Sequence, residues 1–246
     1  RTMPELLDGA TTAFHCQDWL YFRLTGERAT DPSQACFSFG DFRSRSYSDE
    51  VVDILGLKAL SHLLPRIVAG VARPAALSPE AAAPPGLSAG TPVTLAYVDV
   101  ICTALGVGLL DRRAQPGCSI VGSTGMHMRL AASAEDVTLN DSATGYTMCL
   151  PSPGVYAQMQ SNMAATLNID WVLGLAAGVL ASQGITHTPA EMIPLIDGWI
   201  ANAEPAGLIY QPYVSEAGER GPFVDANARA GFVGISSRHG YGDLLR

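Results

Sequence analysis

The sequence is poor in charge and lacks the marks of several common functions. Only 15% of its residues are charged, and one of its fifteen basic residues, Lys58, is a lysine. That shortage of lysine reads as a genome composition bias without mechanistic content. Fifteen basic against twenty-three acidic residues leave a net charge of −8, so no basic field exists to hold a nucleic-acid backbone. The longest strongly apolar run, 171–181, has eleven residues and two glycines, whereas a membrane span needs about 20. Neither nucleic acid nor membrane is an expected partner. The cysteines Cys16, Cys36, Cys102, Cys118 and Cys149 are odd in number and widely spaced, with no C-x-x-C pair, which fits a reduced, cytoplasmic compartment. His15, His62, His127, His187 and His239 form no H-x-x-x-H pair, so no metal site is expected. A Walker A sequence and a G-x-G-x-x-G are absent, and Ser119 is no nucleophile elbow because Ile120-Val121 follows it.

What is present is apolar. Hydrophobic residues make up 48% of the 246, and mean hydropathy is +0.18, which excludes disorder over most of the chain and suits one large domain or two small ones. The opening Arg1-Thr2-Met3-Pro4-Glu5 shows no leader pattern and no initial Met, so it is read as internal to a longer chain.

Apolar spacing predicts a helix over 12–26 closed by Gly26, a turn at Thr30-Asp31-Pro32-Ser33, and a helix over 49–57. The Ala/Pro/Gly/Ser-rich stretch 74–92 places a domain boundary near residue 89, giving 1–88 and 89–246. Beyond it the pattern predicts a strand over 92–97, a helix over 101–110, a strand over 118–122, and two or three antiparallel strands within 137–160. A helix over 162–183 follows, then a capping box at Thr188-Pro189-Ala190-Glu191 opening a helix to about 202, a buried strand over 208–214, a strand over 232–235 and a helix from Gly240. Strands alternating with helices make the class α/β.

Three constellations can carry chemistry. Asp99 stands at a strand's carboxyl end, where open α/β sheets place ligands and a carboxylate can take a proton from a hydroxyl; the residues alone also allow an N-cap for the 101–110 helix. Gly122-Ser123-Thr124-Gly125 follows an apolar strand, and its amides could wrap a phosphate, with the glycines serving close approach or a positive φ; an ordinary β-turn is the alternative. Between two apolar segments, 215–229 is crowded with charge, and a Glu219/Arg229 ion-pair network is its plain structural reading.

In order along the chain, Asp18-Trp19-Leu20, Leu24-Thr25-Gly26, Thr30-Asp31-Pro32-Ser33-Gln34-Ala35, Gly90-Thr91-Pro92-Val93, Asp99, Ala104-Leu105-Gly106-Val107-Gly108, Gly122-Ser123-Thr124-Gly125 and Gly218-Glu219-Arg220-Gly221-Pro222 with Asp225, Asn227, Ala228 and Arg229 resemble the FGGY carbohydrate kinases, closest to their xylulokinase-like branch. The resemblance implies an actin-like, ribonuclease H-like ATPase fold, with 1–88 ending domain I and 89–246 opening domain II. It implies γ-phosphoryl transfer from ATP, aided by Mg²⁺, to a hydroxyl of a small ketose such as xylulose. Asp99 would be the catalytic base and, with Val100, a substrate contact; Gly122, Ser123, Thr124 and Gly125 would hold a phosphate; Glu219 and Arg220 would support the loop. The apolar Val100, where xylulokinases carry Asn, favours a tetritol or glycerol kinase as runner-up, and a non-catalytic sugar-binding remnant is the reading from another class. The family's D-x-G-T and G-G-G loops have no counterpart here, so the 246 residues alone are expected to be inactive. A homodimer stands among the assemblies such a kinase could form.

Overall fold

A computed structural model describes residues 7, 9–111, 113–114, 116–142, 144–205 and 207–246; most of the opening segment read above for a leader lies outside them. Contacts divide the chain into two compact units, the first comprising 1–118, 128–138 and 146–159, the second 119–127, 139–145 and 160–246. Position 89 falls within the first.

In the first unit the helix Cys16–Thr25 ends at Gly26, whose φ of 78° lets its N–H close on the Phe22 carbonyl. The next segment departs from the sequence reading. Thr30-Asp31-Pro32-Ser33 is not a bare turn: Asp31 is the N-cap of the helix Pro32–Phe39, with proline at its first position. That cap signature stands in the sequence and is local. Ser48 caps the helix Asp49–Ile54 in the same way, accepting the Val51 N–H. Tyr21, Ala29 and Leu95 form a buried cluster joined by Val68, Ala75 and Val93. The strand expected over 92–97 is hydrogen-bonded only at Pro92–Val93, antiparallel to Ala75–Ala76. Leu95 and Tyr97 are still buried in alternation, so the period-2 pattern reports burial there without a ladder partner.

Four strands form one sheet, in the order Cys118–Val121, Gly125–Ala131, Tyr156–Asn162, Tyr146–Cys149. The last two pair antiparallel with Tyr156 opposite Cys149, within the expected interval. Gly125–Ala131 was not predicted; it is a seven-residue strand whose Met and Arg content hides a burial pattern with Gly125, Met128 and Ala131 inside.

In the second unit the helix Thr166–Ala181 has Trp199 and Tyr241 nearby, with the Tyr241 hydroxyl donating to the Val172 carbonyl at 2.8 Å. The Thr188 capping box is present in both directions, but the helix it opens is broken into Pro189–Met192, a 3₁₀ turn Ile193–Leu195 and Ile196–Ile200, because Pro194 offers no N–H. The strand expected to be buried over 208–214 is Ile209–Gln211, paired antiparallel with Gly231–Val233, and Ile209 is 64% exposed. Among the described residues no helix is long and apolar enough to cross a membrane.

Candidate active site

Asp99 is the first residue of the helix Asp99–Gly106, and the cap position belongs to Val98, which has no side-chain capping bond. The N-cap alternative for Asp99 is thereby removed. Its Oδ1 accepts the Val100 N–H at 2.7 Å, its Oδ2 has no partner among the described residues, and the side chain is exposed. A helix start favours negative charge at this point.

The peptide before Asp99 is held by a buried cap. Asp31, wholly inaccessible, accepts the Ser33 N–H at 2.7 Å, the Ser33 hydroxyl, the Gln34 N–H at 3.3 Å and the Gln17 amide at 2.5 Å. The Ser33 hydroxyl in turn accepts the Val98 N–H at 3.1 Å. Burial pushes the Asp31 carboxyl above the usual carboxylate range, and the bonds from Ser33 and Gln34 work against that rise. Ser33 is the residue that sequence reading missed as a positioning group for Asp99. No local pattern announces it, since its partner lies 65 positions away.

The turn Gly122–Thr124 joins the strands Cys118–Val121 and Gly125–Ala131 into a hairpin and is exposed. Gly122 N–H closes on the Thr124 carbonyl at 3.0 Å, while the Ser123 and Thr124 amides have no acceptor among the described residues. The carbonyls of Gly122 and Ser123 are taken by the Thr166 and Ala165 amides at the start of the helix Thr166–Ala181, each at 2.9 Å. What remains open to solvent is therefore two donors, the chemistry an anion needs. Of the two roles expected of the glycines, one falls away. Neither has a positive φ. A Cβ on Gly122 would meet nothing nearer than the Thr124 carbonyl oxygen at 3.8 Å, whereas one on Gly125 would run into the Asn162 side chain, with Cγ at 2.9 Å. A side chain at Gly125 would have to displace the Asn162 amide, and Asn162 is a neighbour the sequence did not reveal.

Glu219 is 3% exposed and makes no ion pair among the described residues. Its Oε1 accepts the Met163 and Arg220 amides, each at 2.8 Å, and the Gly221 amide at 3.4 Å, while its backbone pairs with that of Asp225 in both directions. The Glu219/Arg229 network does not form among the described residues: Arg229 donates to the Ala226 and Ala228 carbonyls at 3.0 and 2.7 Å. A carboxylate among three amides stabilises the loop by charge-assisted hydrogen bonds. Glu219→Ala should lower unfolding free energy by about 3 kcal/mol, since it strands buried donors; chemical denaturation checks it, and an unchanged midpoint would mean the loop contributes nothing. The second residue expected to support the loop, Arg220, makes no side-chain bond at all among the described residues, and its Nε is buried without a partner.

For a nucleotide, the two free turn amides fit a phosphate. No group of three or more His, Cys, Asp or Glu side chains among the described residues could hold a metal ion by itself, whereas Mg²⁺ at a kinase site would be carried largely by the nucleotide's phosphates and water, with one or two carboxylates.

The architecture is that of the actin-like sugar kinases. The crystal structure of xylulose kinase from Rhodospirillum rubrum matches 99% of this chain and 46% of its own length, with a TM-score of 0.74 and 25% identity. The chain belongs to the FGGY family of carbohydrate kinases, whose N-terminal domain is matched by residues 1–106. It is 53% identical over 243 residues to erythritol kinase of Brucella abortus (strain 2308), covering 99% of this chain and 46% of that one. It is 28% identical over 247 residues to xylulose kinase of Escherichia coli (strain K12), covering 100% of this chain and 47% of that one. The chain thus spans about half the length of the curated relatives it matches.

Proposed function

We propose that this chain is part of an ATP-dependent kinase of a small polyol of the erythritol type, with Asp99 as general base and the turn Gly122 to Gly125 as a phosphate contact. The observation that carries the polyol reading is the 53% identity to an erythritol kinase across 99% of the chain, against 28% to xylulose kinases. The apolar Val100 beside the base agrees with it. The ketose placed first on the sequence alone is the weaker reading for the same reason.

In this reading the substrate hydroxyl approaches Asp99 Oδ2, the carboxylate oxygen without a partner among the described residues, and gives up its proton there as its oxygen bonds to the γ-phosphorus of ATP and the bond from that phosphorus to the bridging oxygen breaks, with ADP leaving. The Val100 N–H on Oδ1 and the Ser33 bond to Val98 keep the carboxylate in place. ATP supplies the γ-phosphoryl group, and the Ser123 and Thr124 amides offer donors to phosphate oxygens. The carboxylate and the turn belong to different units.

The test is a substrate panel with the complete polypeptide that carries this chain. Erythritol should exceed D-xylulose in kcat/KM by more than about tenfold, the discrimination a site built for one hydroxyl pattern reaches readily. A preference for xylulose would restore the ketose reading. Absence of transfer to erythritol, glycerol and xylulose alike would favour a non-catalytic sugar-binding role.

A further inference from the structure

Arg220 is a charge held in a well-fixed loop without a pairing partner among the described residues. The loop's geometry is over-determined around it. Glu219 ties its own carboxylate to three amides, its backbone is bonded to Asp225, and Gly221 lies so close to the Ser161 carbonyl that a Cβ would collide with it. The two nearest carboxylates in sequence bond backbone amides, Glu219 through Oε1 and Asp225 through Oδ1, which accepts the Asn227 N–H at 2.8 Å, and neither forms an ion pair with Arg220 among the described residues. No ion pair among the described residues includes Arg220. Of its three side-chain nitrogens Nε is enclosed without a partner, and the two Nη groups form a fork with no bond among the described residues. Holding a guanidinium half-buried without a counter-charge is costly, and a planar fork of free N–H groups matches phosphate oxygens in geometry and sign.

The loop is also joined to the proposed phosphate turn by a short chain of contacts within one unit. Asn162 lies against Gly125 of the hairpin; the next residue, Met163, gives its N–H to Glu219; Arg220 follows Glu219 directly. We propose that Arg220 is a phosphate-binding residue, its Nη fork receiving the phosphoryl oxygens of either the nucleotide or the phosphorylated product. The identity of those two sources rests on the kinase reading above; the unmet charge of Arg220 does not.

Arg220→Gln and Arg220→Lys in the complete polypeptide test this by calorimetry with ADP and with the phosphorylated polyol, alongside the thermal midpoint. Arg220→Gln should weaken one of the two ligands about 10- to 100-fold, as expected for a hydrogen bond to a charged group, with the midpoint unchanged within about 2 °C. Arg220→Lys, which keeps the charge and loses the fork, should weaken it less. Loss for ADP alone assigns the nucleotide, and loss for the phosphorylated polyol alone assigns the product. Wild-type affinity of Arg220→Gln for both ligands overturns the proposal, as does an affinity loss that merely tracks a fallen midpoint. A wild-type polypeptide that phosphorylates no hydroxyl compound sinks the kinase reading separately, and the ADP arm still decides whether Arg220 binds phosphate.

Discussion

Asp99→Asn in the complete polypeptide is expected to lower kcat by about 10²–10⁴-fold, the usual contribution of a positioned general base, with nucleotide affinity nearly unchanged. The substitution is close to a clean test. An asparagine oxygen can still accept the Val100 N–H, so the helix start at 99 survives, but an amide cannot take the substrate's proton. The bond from Val98 to Ser33 is untouched as well. Rates measured under saturating substrate separate the chemical step from binding, and near wild-type turnover in the variant would remove Asp99 from the mechanism.

Gly218→Val is expected to abolish stable folding of the second unit's loop, costing more than about 4 kcal/mol. Two independent penalties act at that position. Its φ of +79° is one that a β-branched residue adopts only under strain, and a Cβ there would lie 2.6 Å from both the Cα and the carbonyl carbon of Ala226, besides meeting the Asp225 carbonyl oxygen. Those atoms are backbone, and the Glu219–Asp225 bonds that would have to yield are the ones that shape the loop. Denaturant unfolding followed by fluorescence checks the expectation; a midpoint near wild type would mean that the loop relaxes freely, and the geometric basis for a fixed Arg220 would go with it.

The sequence determined what depends on neighbours within one turn of chain. Gly26 ends a helix, Ser48 begins one, and Thr188 with Glu191 closes a capping box, because each bond joins residues at most four positions apart. The same locality made the order of motifs readable, and with it the family. Tertiary structure alone decided which of those residues do what. The Ser33 hydroxyl reaches Val98 across 65 positions, and Glu219 reaches Met163 across 56, so no spacing rule predicts either. The strand Gly125–Ala131 escaped notice because strand identity depends on its ladder partners more than on composition. Glu219 and Arg220, adjacent and of opposite charge, look like a pair in sequence; folding gives one of them three backbone amides and leaves the other without a partner among the described residues, because a carboxylate at 3% exposure is bonded by whatever donors the backbone brings to it.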